Sequence, residues 1–308
     1  MISSGIDSIF ISVSDMDESL AFYRDWVGME VVAEQHLDPE KIRRLWNLAP
    51  EIQARAVFLK NEEQPTMLEL IEFQPTSKRA IRQEARHWDY GFYDVGFMVK
   101  DLDKTYKGLI GKGFTFISPP IYYKPDWTTF DVKEAILIGP NDMPIAHIEL
   151  LTSPKMDIKI AYGRLSHVAQ MVEDMDKVII FYRDILGLQL ISDVPVSRGL
   201  VDDVLMLPTG TDVRLAFVRK ENSQYAGVEF LAFSLKGRSL ASAAKPPNLG
   251  LFLISFETDD LPGLVEQFKS EKVTILSGPM ELEAGPHGNI KAITVEGPNQ
   301  EMLEFFEK

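Results

Sequence analysis

The sequence contains one short segment twice, almost unchanged. It reads FYRDWVGMEVV at Phe22–Val32 and FYRDILGLQLI at Phe181–Ile191. The apolar positions of each copy recur every three to four residues, which is typical of a helix that packs one face against a core. Gly28 and Gly187 stand where such a helix commonly ends. The two segments therefore predict two copies of a helix that ends in a glycine turn before a strand.

The repeated unit extends beyond the quoted helix. In both copies an alternating strand precedes it, and Asp15 or Asp174 stands at the expected helix N-cap. Two weaker copies emerge from the template of strand, V-x-D, helix, glycine and strand: YDVGFMVKDLDKTYKGLIGKGFTFI from Tyr93 and LGLFLISFETDDLPGLVEQFKSEKVTIL from Leu249. Alternating apolar segments come after each helix. The chain therefore reads as four βαβββ units, and internal repetition of this kind determines the fold.

Related strands close three of the units: MLELIEF, HIELLTS and MLEFFEK. The third unit is expected to close on DVRLAFVRK instead. The segment TSPKMDIKIAYG is typical of a domain linker. Because consecutive units are expected to pair, residues 1–153 should form an N-terminal domain from units one and two. Residues 160–308 should form a C-terminal domain from units three and four.

Composition limits the classes of partner. With 32 basic and 46 acidic residues the net charge is −14, which disfavours nucleic acid and anionic membranes and favours a small-molecule substrate. The 308 residues include no cysteine, so any metal must be held by oxygen or imidazole ligands. No apolar run reaches the ~20 residues of a membrane span, and the first residues do not read as a secretion signal. We expect a cytoplasmic protein, with a homo-oligomer left open.

The four-fold pattern, the V-x-D and FYRD-x-x-G helix, and EGPNQEMLEFFE near the C-terminus resemble the vicinal oxygen chelate superfamily. That superfamily includes glyoxalase I, fosfomycin and bleomycin resistance proteins, methylmalonyl-CoA epimerase and extradiol ring-cleavage dioxygenases. The resemblance covers nearly the whole chain. It implies an α+β fold in which four βαβββ modules form two tandem glyoxalase/dioxygenase-type domains with open β-barrel cups. It does not select one function, because the superfamily places several chemistries on one scaffold.

The resemblance also implies where metal ligands would lie, namely on the first and last strands of the units. Counting back from the V-x-D motif gives four first-strand positions: Ser8, Asp94, His167 and Leu251. The glutamate of the closing strands gives Glu69, Glu149 and Glu304, with Arg214 in the third unit.

The N-terminal half carries the favoured site. Its expected metal ligands are Glu69, Asp94, Glu149 and His147, the last because residues two apart on a strand share a face. Hard oxygen ligands with at most one nitrogen suit a divalent Mn, Fe, Zn or Mg ion. Glu149 or Glu69 is the expected catalytic base, because neighbouring carboxylates raise its pKa. The predicted enzyme is a metal-dependent lyase or isomerase of the glyoxalase type, acting on a small substrate with adjacent oxygens.

Two alternatives remain open. The C-terminal half offers His167 and Glu304 as ligands of an extradiol-type dioxygenase, but Leu251 stands where that family has a second histidine. His287 in GPHGN resembles an outer-sphere histidine of those enzymes. The second alternative is a metal-free binding protein, as in the antibiotic-sequestering relatives.

Substrate contacts are expected from an aromatic segment and one serine. The segment PPIYYKPDWTTF brings Tyr122, Tyr123 and Trp127 to the mouth of the predicted N-terminal cup, and Ser8 points into it. The segment DPEKIRRLWNLAPE reads as an inserted amphipathic helix and a candidate lid.

Overall fold

The computed structural model describes residues 1–61, 64–125, 131–152 and 161–308, and these residues form four βαβββ units. Unit one contains β1 (Ser8–Val13), α1 (Met16–Leu20), β2 (Glu30–His36), α2 (Pro39–Trp46), β3 (Gln53–Lys60) and β4 (Met67–Gln74). Unit two contains β5 (Gly91–Val99), α3 (Leu102–Ile110), β6 (Thr115–Phe116), β7 (Ile121–Tyr123), β8 (Val132–Ile138) and β9 (Pro144–Leu150). The predicted repeat is therefore present in the first half of the chain.

The second half repeats the arrangement. Unit three contains β10 (Tyr162–Met171), α4 (Met175–Ile179), β11 (Gln189–Val196), α5 (Val201–Val204), β12 (Val213–Arg219) and β13 (Gly227–Phe233). Unit four contains β14 (Gly250–Glu257), α6 (Leu261–Ser270), β15 (Ile275–Glu283), β16 (Asn289–Glu296) and β17 (Met302–Glu307). The predicted α+β fold class is confirmed.

The two FYRD helices begin and end as the sequence predicts. Asp15 accepts a hydrogen bond of 2.9 Å from the Glu18 N–H, and Asp174 accepts one of 3.0 Å from the Lys177 N–H. Both helices continue as a π-helical turn, Ala21–Trp26 in unit one and Ile180–Ile185 in unit three. Gly28 and Gly187 follow at φ 83° and 79°, the left-handed region in which glycine is unstrained.

The seventeen strands within the described ranges form two sheets. One has the order β15-β16-β17-β14-β1-β4-β3-β2, and the other has the order β11-β12-β13-β10-β5-β9-β8-β6 with β7 paired to β8. The antiparallel β1–β14 pair joins units one and four, with Ser8 opposite Ser255. The antiparallel β10–β5 pair joins units two and three, with His167 opposite Gly96.

This pairing joins units from the two predicted domains, residues 1–153 and residues 160–308, whose bounds stay a prediction. Each sheet takes one unit from each half of the chain. The repeat identifies the units. The first strands of all four units have similar apolar sequences, so the sequence pattern does not determine which two of them pair.

Alternation along the strands separates two environments. One face of each sheet packs with the helices into a shared core, which includes Ile9, Val95, Val168 and Ile254. The other face is concave and forms a cup. Cup A is the concave face of the sheet from units two and three, and cup B is that of units one and four. No helix within the described ranges combines the length and the apolar character that crossing a bilayer requires.

Candidate functional site in cup A

Cup A encloses a cavity of about 150 Å³. Four Asp, Glu or His side chains from four different strands reach it: Asp94 on β5, Glu134 on β8, His167 on β10 and Glu229 on β13. The first-strand residues of units two and three thus meet across the central β5–β10 pair. The site uses Asp94 from the first half of the chain and His167 with Glu229 from the second half, so it belongs to neither predicted domain alone.

His167 is the centre of this cluster. Its Nε2 atom lies 3.4 Å from Oδ1 of Asp94 and 3.8 Å from Oε2 of Glu229. Burial lowers the pKa of His167, but the charges of Glu229 and Asp94 outweigh burial, and the net effect raises the pKa to about 9. Burial raises the pKa of Glu229. The charge of Asp94 raises this pKa further, whereas the charge of His167 lowers it. The imidazole is therefore held in its charged form by two carboxylates.

Glu134 forms a separate arm of the cluster. Burial raises its pKa to about 7, and repulsion from Glu229 acts in the same direction. The Tyr123 hydroxyl donates a short hydrogen bond to Oε2 of Glu134, which opposes that shift and fixes the orientation of the carboxyl group. A carboxyl group with a pKa near neutrality can accept and return protons at physiological pH.

The donor set has the composition of a divalent-cation site, although it is not already arranged around one point. In the described part of the chain no three His, Asp or Glu side chains have the geometry of a preformed metal site. Oδ1 of Asp94 is nevertheless buried and lacks a hydrogen-bond partner. Neighbouring ligand atoms in a tetrahedral site with 2.1 Å bonds lie roughly 3.4 Å apart, close to the separations measured around His167. The residue types of Asp94, His167 and Glu229 are therefore those that divalent ions bind, although the described side chains form no preformed metal site.

The sequence reasoning missed Glu229 because it ended the third unit one strand too early. DVRLAFVRK forms β12, whereas the last strand of the unit is β13, GVEFLAF. Glu229 pairs with Ala169, two residues after His167, as Glu69 pairs with Phe10, two residues after Ser8. Matching the glutamate of GVEFLAF with that of MLELIEF would have revealed it. Arg214 on β12 lies outside the cavity and contacts Asp193 and Asp176.

Unit two was aligned incorrectly at Glu149. Its Oε2 accepts a hydrogen bond of 3.0 Å from the Leu102 N–H at the start of α3. Glu72 and Glu307 bind the first N–H groups of α1 and α6 in the same way. Glu149 therefore corresponds to Glu72 and supports a helix terminus on the side of the sheet away from the cup. The position that corresponds to Glu69 is Ala146.

His147 also lies away from the cup. It is fully buried, with Nε2 2.8 Å from the Tyr162 hydroxyl and Nδ1 3.1 Å from the Ile145 carbonyl oxygen. Burial lowers its pKa to about 4, so it is neutral. Both nitrogens have protein partners, and the structure places His147 in the core rather than with Asp94.

The remaining predicted ligands lie together in cup B. Glu69 and Glu304 are buried beside Asp7, whose Oδ2 is 2.8 Å from Nε2 of His287 and 3.2 Å from Oγ of Ser8. Burial raises the pKa of Glu69 well above its usual range and that of Glu304 to about 7. The first-strand residue of unit four, counted from its N-cap Asp260 as in the other units, is Leu253 rather than Leu251.

Cup B is largely filled by its own side chains. The indole of Trp46, at the end of α2, packs against Phe10, Phe73 and Phe252 with ring centroids 5.6–6.1 Å apart. The cavity that remains is about 30 Å³. The inserted helix that the sequence suggested as a lid thus contributes core residues to cup B, whereas α5, the helix of unit three, covers cup A with Val201 and Val204.

The predicted substrate contacts divide among three locations. Tyr123 lines cup A, whereas Tyr122 is 57 % exposed beside it on β7. Ser8 belongs to cup B, where its main-chain N–H also donates to Oγ of Ser255. Trp127 lies outside the described residues.

Sequence comparison agrees with this architecture. The sequence profile of the Glyoxalase/Bleomycin resistance protein/Dioxygenase superfamily matches residues 5–128 and 164–305. The chain belongs to this superfamily. The two matches cover most of the chain and correspond to its two repeated halves, so the resemblance inferred from the FYRD motif is confirmed.

Individual proteins are similar to part of this chain or share its fold. Mitochondrial methylmalonyl-CoA epimerase of Homo sapiens is 32% identical over 126 residues, which is 41% of this chain and 62% of the epimerase, so the chain spans less than two thirds of that relative. Glyoxalase I from Zea mays superposes with a TM-score of 0.63 at 15% identity, covering 99% of this chain and 92% of the other. A putative dioxygenase from Bacillus subtilis gives 0.62 at 12% identity, covering 99% and 85%. These structural likenesses show the shared fold.

Proposed function

We propose that the protein is a divalent-metal-dependent enzyme that transfers a proton at a carbon next to a carbonyl group, in an isomerase- or lyase-type reaction. The observation that carries the proposal is the position of Glu134, a buried carboxyl group with a pKa of about 7 that shares a cavity with Asp94, His167 and Glu229. The similarity to an epimerase over 126 residues supports the same class of chemistry. The proposed base therefore moves from Glu149 or Glu69 to Glu134.

Asp94, His167 and Glu229 are the residues that would hold the ion. When bound, a divalent ion would attract two adjacent substrate oxygens and stabilise negative charge that develops on them. His167 would hold the ion through its neutral imidazole. Asp94 and Glu229 then balance the charge of the ion. Aliphatic side chains from α5 and β12 line the site, and such apolar walls would strengthen the charge interactions inside it.

Glu134 would act on the substrate directly. In its ionised form it removes the proton from carbon, and the protonated carboxyl group then returns that proton to the same or a neighbouring carbon. Tyr123 holds the carboxyl group by donating to Oε2, which leaves Oε1 available to the substrate. No other atom is gained or lost, so the step needs no oxidant or reductant.

Exchange of hydrogen for deuterium tests the proposal. The full-length protein loaded with Mn²⁺ should catalyse deuterium incorporation from D₂O into hydroxyacetone, with NMR samples taken after the metal is removed. The Glu134→Gln variant should lose roughly 10²- to 10⁴-fold in rate while it keeps Mn²⁺ affinity. Glu149→Gln, a matched change outside the cup, should exchange at the wild-type rate. Equal exchange by wild type and Glu134→Gln would contradict the assignment.

The two alternatives predict different outcomes. A ring-cleavage dioxygenase would consume oxygen with Fe²⁺ and catechol, although the set of one histidine and two carboxylates differs from the two-histidine, one-carboxylate triad of non-haem iron oxygenases. A metal-free binding protein would show no stoichiometric Mn²⁺, Fe²⁺ or Zn²⁺ binding by calorimetry. Asp94→Asn and Glu229→Gln should each weaken the metal affinity if the proposed ligand set is correct.

A further inference from the structure

The charges around cup A restrict what can enter it. Three carboxyl groups reach the cavity, from Asp94, Glu134 and Glu229, and the only cationic group among the described lining residues is His167. Nε2 of His167 already faces two of these carboxylates. No Lys or Arg occurs among those described lining residues. Among the described lining residues, an anionic group of a ligand would therefore find no free cation.

Two cations that precede lining residues on their strands are directed elsewhere. Lys133 precedes Glu134 on β8, but its Nζ lies 2.7 Å from Oδ2 of Asp103. Arg214 precedes Leu215 on β12 and contacts two aspartates outside the cavity. Alternation along each strand places these side chains on the opposite face from the lining residues that follow them.

A third cation lies behind the cavity wall. The Arg82 guanidinium is 4.7 Å from the ring centre of Tyr93, a lining residue, and donates to the carbonyl oxygens of Phe92 and Arg86. The Tyr93 hydroxyl is 2.8 Å from Nδ1 of His87, so the ring is held at both its face and its edge. Arg82 is therefore occupied by the protein itself and is separated from the cavity by an aromatic ring.

Most of the remaining lining residues are apolar, apart from Tyr93, Tyr123 and Ser166. Val201, Val204 and Leu205 cover one side, and Leu215 and Phe217 line another. A cavity of about 150 Å³ with such walls is large enough for benzene. The cavity is thus suited to a fragment of about one ring, with polar contacts supplied by the acidic cluster.

The geometry points to a substrate whose buried part is an uncharged fragment about the size of a single ring, and to exclusion of substrates that carry a carboxylate or phosphate on that fragment. This inference rests on the proposed function, because the acidic cluster balances a bound divalent ion and leaves no net charge for an anion to neutralise. A like charge within ~4–6 Å shifts a carboxyl pKa by about one unit or more, and one unit corresponds to tenfold in affinity.

Catechol and 3,4-dihydroxybenzoate form a matched pair that differs by one carboxylate. Calorimetry on the full-length Mn²⁺-loaded protein at pH 7.5 should show catechol binding at least about tenfold more tightly. Equal or tighter binding of 3,4-dihydroxybenzoate, or no binding of catechol, would overturn the inference. A separate Mn²⁺ titration distinguishes the two proposals: retained Mn²⁺ binding with failed discrimination refutes the substrate class alone, whereas absent Mn²⁺ binding refutes the proposed function.

A charge added to the lining provides a second test. Met98 is a half-buried lining residue, so Met98→Lys places an ammonium group in cup A with little loss of packing. The variant should bind 3,4-dihydroxybenzoate more tightly and reduce the preference for catechol by about tenfold. Met206→Lys, the same substitution at a residue that is 64 % exposed, is the control and should leave the preference unchanged. An unchanged preference in Met98→Lys would contradict the electrostatic explanation.

Discussion

The His167 ring lies directly against Gly96 on the neighbouring strand. A methyl group on Gly96 would be 2.6 Å from Cε1 of His167 and 2.9 Å from both ring nitrogens, far inside van der Waals contact. Phe217 holds the ring from another side, with centroids 6.5 Å apart. Gly96 is therefore a position where only a hydrogen side chain allows the imidazole to face Asp94 and Glu229.

Gly96→Ala should displace His167 and weaken Mn²⁺ binding roughly 10- to 100-fold, the range seen when groups that orient a metal ligand are removed. Calorimetry measures the affinity, and circular dichroism checks that the variant is folded. Gly108→Ala on α3 is the matched control, because a Cβ atom there meets nothing within 4 Å. A folded Gly96→Ala protein with wild-type affinity would exclude His167 as a ligand.

Glu149→Ala should affect stability and leave the site intact. Because Glu149 accepts the Leu102 N–H, its loss should lower the free energy of unfolding by about 1 kcal/mol, the usual effect of removing a helix cap. Urea unfolding measures this change, and Glu72→Ala should behave alike because Glu72 binds the Met16 N–H. Loss of Mn²⁺ binding in Glu149→Ala would instead restore the ligand role expected from the sequence.

Tyr123→Phe tests the proposed base through its pH dependence. The Tyr123 hydrogen bond lowers the pKa of Glu134, so its removal should raise that pKa further above 7. A base acts in its ionised form, and exchange should therefore decline at a higher pH in the variant than in wild type as the solution is acidified. Deuterium exchange into hydroxyacetone from pH 5 to 9 gives the profile. If the pH profile of the variant coincides with that of wild type, the Tyr123 hydrogen bond does not set the pKa of the catalytic group.

Glu304→Gln should make stability less dependent on pH. Burial raises the pKa of Glu304 to about 7, with Asp7 adding and the nearby Trp46 indole opposing; Glu69 and His287 also line cup B. Because the pKa in the folded state exceeds the unfolded value near 4.5, the folded chain binds more protons, and stability falls as the pH rises from about 4.5 through 7.

Glutamine has no such titration, so Glu304→Gln should become more stable relative to wild type as the pH rises across that interval. Urea unfolding at pH 5 and pH 8 measures the two differences. A Glu304→Gln protein whose stability changes with pH as in wild type would show that Glu304 titrates normally.

His167→Gln removes the titration of a different group. The pKa of His167 is raised in the folded state, so this residue stabilises the fold below about pH 6.5, and the contribution disappears as the pH rises through 9.

The sequence pattern predicted the repeated units more accurately than it predicted the residues of the site. Asp15 and Asp174 cap their helices as expected, because capping is decided within four residues of chain. The predicted ligand positions depended on how the closing strands of the units were aligned. In unit two the alignment was wrong by three residues, so Glu149 was taken for the position that Ala146 occupies. Glu229 was missed for the same reason, since the last strand of unit three was placed at β12.

Two further features could not be read from a repeat at all. Which edges pair is decided by packing between units, so the meeting of Asp94 with His167 required the β5–β10 contact. Glu134 was not considered, because the resemblance implies ligands on the first and last strands of each unit. Glu134 lies on β8, the strand before the last in unit two. Its burial in cup A follows from the closure of units two and three over one cavity.

The pairing of β1 with β14 joins positions 247 residues apart, Ser8 and Ser255. During synthesis, the edge of β1 that pairs with β14 therefore stays unpaired until β14 has been synthesised. Pairing between such distant segments is slow to form, and exposed strand edges promote association with other chains. Nascent chains halted before β14 should consequently depend on chaperones more than completed chains do.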